Sequence, residues 1–168
     1  MLPWVLGETD LGENVLEIGP GPGVITDWLR ERVSHLTCIE IDPQLAASLK
    51  ERLAGTNVTV LEGDATKMTL PDQSFEAALS FTMLHHVPSA GLQDRLLAET
   101  YRVLKPGGLF AGSDSTPSFR WRLFHLFDTC VPVDPDGFGA SLESAGFADV
   151  RIDRRPEYNT FRFYATKA

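Results

Sequence analysis

The sequence predicts an α/β domain: a doubly wound, mainly parallel sheet with helices on both faces. Three observations carry this. Strand-length apolar runs alternate with helix-length amphipathic stretches, one strand runs straight into a glycine-rich turn that opens a helix, and 168 residues are one domain's worth of chain.

The elements follow in order. Apolar runs stand at Val15–Ile18, Leu36–Ile41, Val58–Leu61, Phe75–Phe81 and Gly108–Gly112, each within the ~4–8 residues of a buried strand. Between them, Val24–Val33, Pro43–Leu53 and Leu92–Leu104 repeat apolar residues at helical spacing; Leu92, Leu96, Leu97, Tyr101 and Leu104 make one face. Parallel strands need such long crossovers. Asp42-Pro43 reads as an N-cap followed by a first helical position, and Lys105-Pro106-Gly107-Gly108 stops the third helix. A loop and an aromatic-rich segment, Phe119–Phe127, come next, then a short helix over about Pro135–Ala145. Two last strands, Ala148–Ile152 and Thr160–Thr166, are joined by the polar stretch Asp153–Tyr158 and are most simply antiparallel. Seven strands result, in a single domain over residues 1–168.

Composition narrows the function. Fifteen basic against 23 acidic side chains give a formal charge of −8, which repels phosphate backbones and anionic membrane surfaces. Neither nucleic acid nor membrane is an expected partner. Two cysteines, Cys38 and Cys130, are too few for a disulfide framework or a four-ligand zinc site, so no metal is expected. No apolar run reaches the ~20 residues of a membrane span, and the start lacks a signal-peptide pattern. A cytoplasmic enzyme is the expectation.

The most informative segment is Val-Leu-Glu-Ile-Gly-Pro-Gly-Pro-Gly at 15–23, a strand leading into Gly19, Gly21 and Gly23 and then a helix. Glycines without Cβ admit a ligand to the backbone, and the helix N-terminus offers unpaired N–H groups. Glu40 ends the second strand, where doubly wound folds place a carboxylate for ribose hydroxyls, and Gly63-Asp64-Ala65 follows the third. These sites fall at one sheet edge, the crevice in which open α/β sheets bind ligands. Pro20 and Pro22 remove two N–H donors that a pyrophosphate would use, and Glu17, Glu40, Asp42 and Asp64 are all acidic. The set suits a nucleoside carrying positive charge. S-adenosylmethionine, with its sulfonium and ammonium, is one.

EIGPGPG at 17–23, IEID at 39–42, GDA at 63–65 and SFEAALSFTMLHHVPSAGLQDRLLAETYRVLKPGG at 74–108 together resemble class I S-adenosylmethionine-dependent methyltransferases. The resemblance covers roughly residues 13–168. It implies a Rossmann-like seven-stranded sheet of order 3-2-1-4-5-7-6 with strand 7 antiparallel, and S-adenosylmethionine as cofactor. By position it implies that Gly19 and Gly21 line the methionine portion and that Glu17 supports the ammonium. Glu40 would take the ribose hydroxyls, Ile41 pack on adenine, Asp64 accept from the adenine amino group and Ala65 donate to the ring. Gly23 and Phe81 complete the implied cofactor-binding set.

The first half is similar to ribosomal RNA adenine dimethyltransferases, but strand 4 ends Leu79-Ser80-Phe81-Thr82-Met83-Leu84-His85-His86. That stretch lacks the pattern of Asn or Asp, then Pro, then an aromatic, that nucleobase amino-methylating enzymes carry. It looks like the small-molecule branch, which includes quinone C-methyltransferases. A small-molecule acceptor with an O, N or C nucleophile is therefore expected, with His85 or His86 as candidate general base at the acceptor side. The bland alternative has both histidines capping the strand. About fourteen residues precede the first strand, so a lid over the acceptor is short or missing; Phe119–Phe127 or a second copy in a homodimer would cover it. An S-adenosylmethionine-binding protein without methyl transfer, and an RNA adenine methyltransferase, stay open as alternatives. The two cysteines are expected to lie outside the chemistry.

Overall fold

Seven strands form one sheet in the order β3-β2-β1-β4-β5-β7-β6 in the computed structural model, which describes residues 9–116 and 130–168. The strands are β1 (Asn14–Ile18), β2 (His35–Glu40), β3 (Val58–Glu62), β4 (Phe75–Phe81), β5 (Leu104–Ser115), β6 (Phe147–Arg155) and β7 (Thr160–Lys167). The helices are α1 (Val24–Leu29), α2 (Pro43–Arg52), α3 (Ala90–Val103) and α4 (Pro135–Ser144), with 3-10 turns at Leu84–His86 and Pro156–Tyr158. β7 runs antiparallel to β5 and β6, and the other pairings are parallel. The expected topology is thus observed.

Alternation along each strand divides the core between the two faces. Leu16, Ile18, Ala78 and Phe110 pack with Leu96 and Leu97 of α3 and Phe138 and Leu142 of α4. Val15, Leu36, Ala77 and Leu79 pack with Leu29 of α1 and Ala46 and Leu49 of α2. Phe110, Phe161 and Phe163 are fully buried, and Phe138 meets Phe163 edge-on at 5.1 Å. Burying each ring contributes about 1.5–3 kcal/mol, which fixes the antiparallel end of the sheet.

Two boundaries differ most from expectation. The first helix ends at Leu29 rather than Val33, because the Asn57 amide donates to the carbonyls of Arg30 and Val33, both at 2.8 Å, and holds them outside a helix. The fifth strand begins at Leu104 rather than Gly108. Pairing with β4 jumps from Phe75–Leu104 to Ala77–Leu109; Gly107, at φ 75°, turns the extra residues, and Lys105 ion-pairs with Glu76 beside the bulge. The helix stop is therefore also a strand start. The aromatic segment Phe119–Phe127 lies outside the described residues.

Candidate active site

Tertiary structure builds the site at the carboxyl ends of β1, β2, β3 and β4. Leaving β1, Gly19 donates its N–H to the Ile39 carbonyl at 2.9 Å, and Gly63 donates to the Glu40 carbonyl at 2.9 Å, so three strand ends are tied to one another. The loop needs its glycines for separate reasons. Gly19 (φ 66°) has Met83 Cγ 2.2 Å from where a Cβ would stand, whereas at Gly21 (φ 55°) nothing lies within 4 Å. Gly23 (φ 84°) caps α1 against Leu49 and Arg52. Arg52 anchors the turn, donating to both Asp27 oxygens at 2.8 and 2.7 Å and to the Pro22 carbonyl at 3.2 Å.

A cavity of about 590 Å³ opens over these ends, within the ~300–1,000 Å³ typical of small-molecule sites. Of the residues expected at the site, Gly19, Gly21, Glu40, Ile41, Asp64, Ala65, Phe81 and His86 line it. Glu17, Gly23 and His85 do not. Ile41 is 69% exposed, an isoleucine left uncovered beside a cavity, which suits packing on a flat ring. Thr82, Met83, Pro88, Leu92 and Leu96 complete the opposite wall. Thr82 has φ 53°, a strained conformation for a β-branched residue.

The carboxylates differ in environment. Glu40 bridges the loops: its Oε2 accepts from Gly21 N at 2.9 Å and its Oε1 from Asp42 N at 3.0 Å. Burial pushes Asp64 up, but its Oδ1 accepts from both the N–H and the hydroxyl of Thr66, and with Lys67 3.7 Å away the net effect holds it below the usual range. Glu17, 2% exposed beneath the loop, is pushed up to about 7 by burial, against the Thr26 hydroxyl at 2.6 Å and the Cys38 thiol at 3.4 Å. Burial and the neighbouring Glu17 charge push the Cys38 thiol up as well.

Past the end of β4, the 3-10 turn sets the His85 and His86 rings with centroids 4.2 Å apart and planes inclined at 38°. His85 is 2% exposed, and its Nδ1 meets Asp114 Oδ1 at 2.5 Å; Asp114 Oδ2 also accepts from its backbone N–H at 3.3 Å. His86 faces the cavity, with Cys130 Sγ 3.6 Å from its Nδ1. Sequence reasoning missed Asp114 and Cys130. Asp114 had a signal, a carboxylate near the carboxyl end of a strand at the same sheet edge, whereas nothing in the spacing joins Cys130 to residues more than forty positions away.

The methyltransferase domain family model matches residues 16–112, more than half the chain. The chain belongs to this methyltransferase family. Over 152 residues it is 30% identical to an uncharacterized methyltransferase of Geobacillus kaustophilus, covering 89% of this chain and 63% of that protein. Over 56 residues it is 54% identical to the ribosomal RNA small subunit methyltransferase A of Aromatoleum aromaticum, covering 33% of this chain and 21% of that one. Phosphoethanolamine N-methyltransferase 2 of Haemonchus contortus, solved with S-adenosyl-L-methionine, superposes with a TM-score of 0.83 at 17% identity, covering 99% of this chain and 51% of that one. This methyltransferase domain spans less than two thirds of each of these relatives. The family's cofactor is S-adenosylmethionine, and the residues fit it: the space at Gly21 admits a chain where a Cβ would stand, and Glu40, Ile41 and Asp64 offer a carboxylate, an apolar face and a second carboxylate in succession. Among the described residues no helix is long and apolar enough to cross a membrane.

Proposed function

We propose that this domain transfers a methyl group from S-adenosylmethionine to a small-molecule acceptor that enters beside Phe81, Met83 and His86. The observation that carries the reading is a single cavity lined at one end by the Gly19–Pro22 loop, Glu40 and Asp64, and at the other by apolar side chains and His86. When bound, S-adenosylmethionine supplies a methyl group on positively charged sulfur. Gly19 and Gly21 would accommodate the methionine portion, Glu40 the ribose hydroxyls, and Ile41, Asp64 and Ala65 the adenine. Glu17 and Gly23 act from beneath, shaping the loop rather than touching the ligand. His86 is the acceptor-side contact, and His85, held by Asp114, positions the turn behind it.

A small acceptor is favoured over RNA by the net charge of −8 and by a mainly apolar acceptor wall of Met83, Pro88, Leu92 and Leu96. Holding donor and acceptor in register can supply ~7–11 kcal/mol of barrier reduction. The test is turnover against panels of phenols, amines, thiols and quinols, with a structured ribosomal RNA fragment alongside. Methylation within the small-molecule panels is expected. Methylation of the RNA alone would overturn the acceptor class, and S-adenosylmethionine binding without turnover in any panel would favour a binding protein.

A further inference from the structure

We propose that His85, His86 and Cys130 form a binding site for a divalent cation of the zinc class at the cavity wall. One potential ligand atom from each residue lies within 4.8 Å of the others. His86 Nδ1 and Cys130 Sγ are 3.6 Å apart. Bonds of about 2.3 Å to sulfur and 2.0–2.1 Å to nitrogen at a tetrahedral angle put those atoms about 3.6 Å apart, so this pair already has the spacing that one shared ion requires.

The supporting structure is of the kind metal sites use. A ligating histidine usually holds its other ring nitrogen against a carboxylate, which fixes tautomer and orientation. His85 Nδ1 is so held by Asp114, directing Nε2 to the ligand role. The two backbone segments are also locked together: Val131 N donates to the His85 carbonyl at 2.8 Å, and the Gln93 amide donates to the carbonyls of Leu84 and Val131, both at 3.1 Å. Cys130 thus stands at a fixed distance from the turn. The expectation of no metal rested on cysteine count alone, and two adjacent histidines supply what a second and third thiol would.

Among the described residues the site offers three protein ligands, which with water or substrate as a fourth is the arrangement of catalytic rather than structural zinc. Because His86 lines the cavity, that position is available to an acceptor thiol or hydroxyl, which on binding the ion would release its proton to water and become the stronger nucleophile. This role for the fourth position rests on the transfer reaction proposed above; ion binding does not.

The test is titration of the tag-free, chelator-treated chain with Co²⁺, read by absorption, with Zn²⁺ as competitor. One Co²⁺ per chain is expected, showing a thiolate-to-cobalt charge-transfer band and d–d bands of tetrahedral intensity, all removed by Zn²⁺, which favours a tetrahedral thiolate and imidazole set. C130S should abolish the charge-transfer band, H86A should weaken Co²⁺ at least ~10-fold, and C38A should leave both unchanged. Circular dichroism reports folding of each variant. Absence of the band in the wild type, or its persistence in C130S, overturns the site. Calorimetry with S-adenosylhomocysteine separates the two proposals: nucleoside binding without a cobalt band removes only the metal, and a cobalt band without nucleoside binding removes the cofactor assignment.

Discussion

The carboxylate of Glu40 accepts a hydrogen bond from the backbone of Gly21 at 2.9 Å. The end of β2 is thereby clasped to the loop that follows β1, with the second oxygen taken by Asp42 N at 3.0 Å. Glu40 thus orders the loop through the chain's own hydrogen bonds. A ribose would compete for this acceptor or share it. Charge-assisted hydrogen bonds contribute ~1.5–3 kcal/mol each, so Glu40→Ala should weaken S-adenosylmethionine at least ~10-fold by calorimetry while the chain stays folded. Unchanged affinity would remove Glu40 from the cofactor site. NAD should not bind comparably, since Pro20 and Pro22 take two donors from a pyrophosphate.

Gly21 and Gly19 should respond differently to the same substitution. Each has positive φ, so Ala at either place costs ~1–2 kcal/mol in backbone strain. At Gly21 the added methyl meets nothing within 4 Å and points into space a ligand would use; Gly21→Ala should lose cofactor affinity out of proportion to its stability. At Gly19 it falls 2.2 Å from Met83 Cγ. Gly19→Ala should therefore be the less stable variant in thermal denaturation, and adding Met83→Ala should recover part of the loss. Equal stability of the two single variants would contradict this packing.

That the glycine turn and the two carboxylates meet at one cavity was legible because the determinants are local: a glycine turn, then a carboxylate at the end of each of the next two strands, with periodicity 2 fixing which residues reach the edge. Strand order was legible through the family resemblance. The surroundings of His85 and His86 were not, since they depend on contacts distant in sequence. His85 looks like any histidine after a strand until Asp114 is beside it, and Cys130 reaches His86 through a segment that Val131 N and the Gln93 amide tie to the turn. The early stop of α1 has the same origin, a side chain from Asn57 taking helix-end carbonyls. Glu17 was legible as a member of the loop motif but not as a carboxyl under it.

Glu17 makes stability depend on pH in a defined direction. The unfolded chain releases this proton near 4.5 and the folded chain only near 7. Between those values the folded state binds more protons, so stability falls as pH rises and levels off above about 7. The difference is about 3 kcal/mol. Glu17→Gln removes it, so the variant should match the wild type near pH 4 and exceed it by up to about 3 kcal/mol near pH 8 in urea denaturation. A stability difference that does not change with pH would show that Glu17 titrates normally.

Asp114 is a positioning residue for His85, and its substitution distinguishes that role from a structural one. One oxygen meets the ring at 2.5 Å and accepts from Ser115 N at 2.6 Å, while the other faces the His85 backbone N–H at 3.3 Å. Asparagine keeps one acceptor and turns a donor toward the other N–H, leaving a buried donor unsatisfied at a cost of ~1–3 kcal/mol. If Asp114 served stability alone, Asp114→Asn would lower the melting temperature and leave ligand binding as it was. If it orients His85 toward an ion, Co²⁺ affinity should also fall ~10–100-fold, as for other residues that support a metal ligand. S-adenosylhomocysteine affinity should not change, because Asp114 is not among the residues lining the cavity. Co²⁺ affinity equal to wild type in a folded Asp114→Asn chain would assign Asp114 to the fold and not to the site.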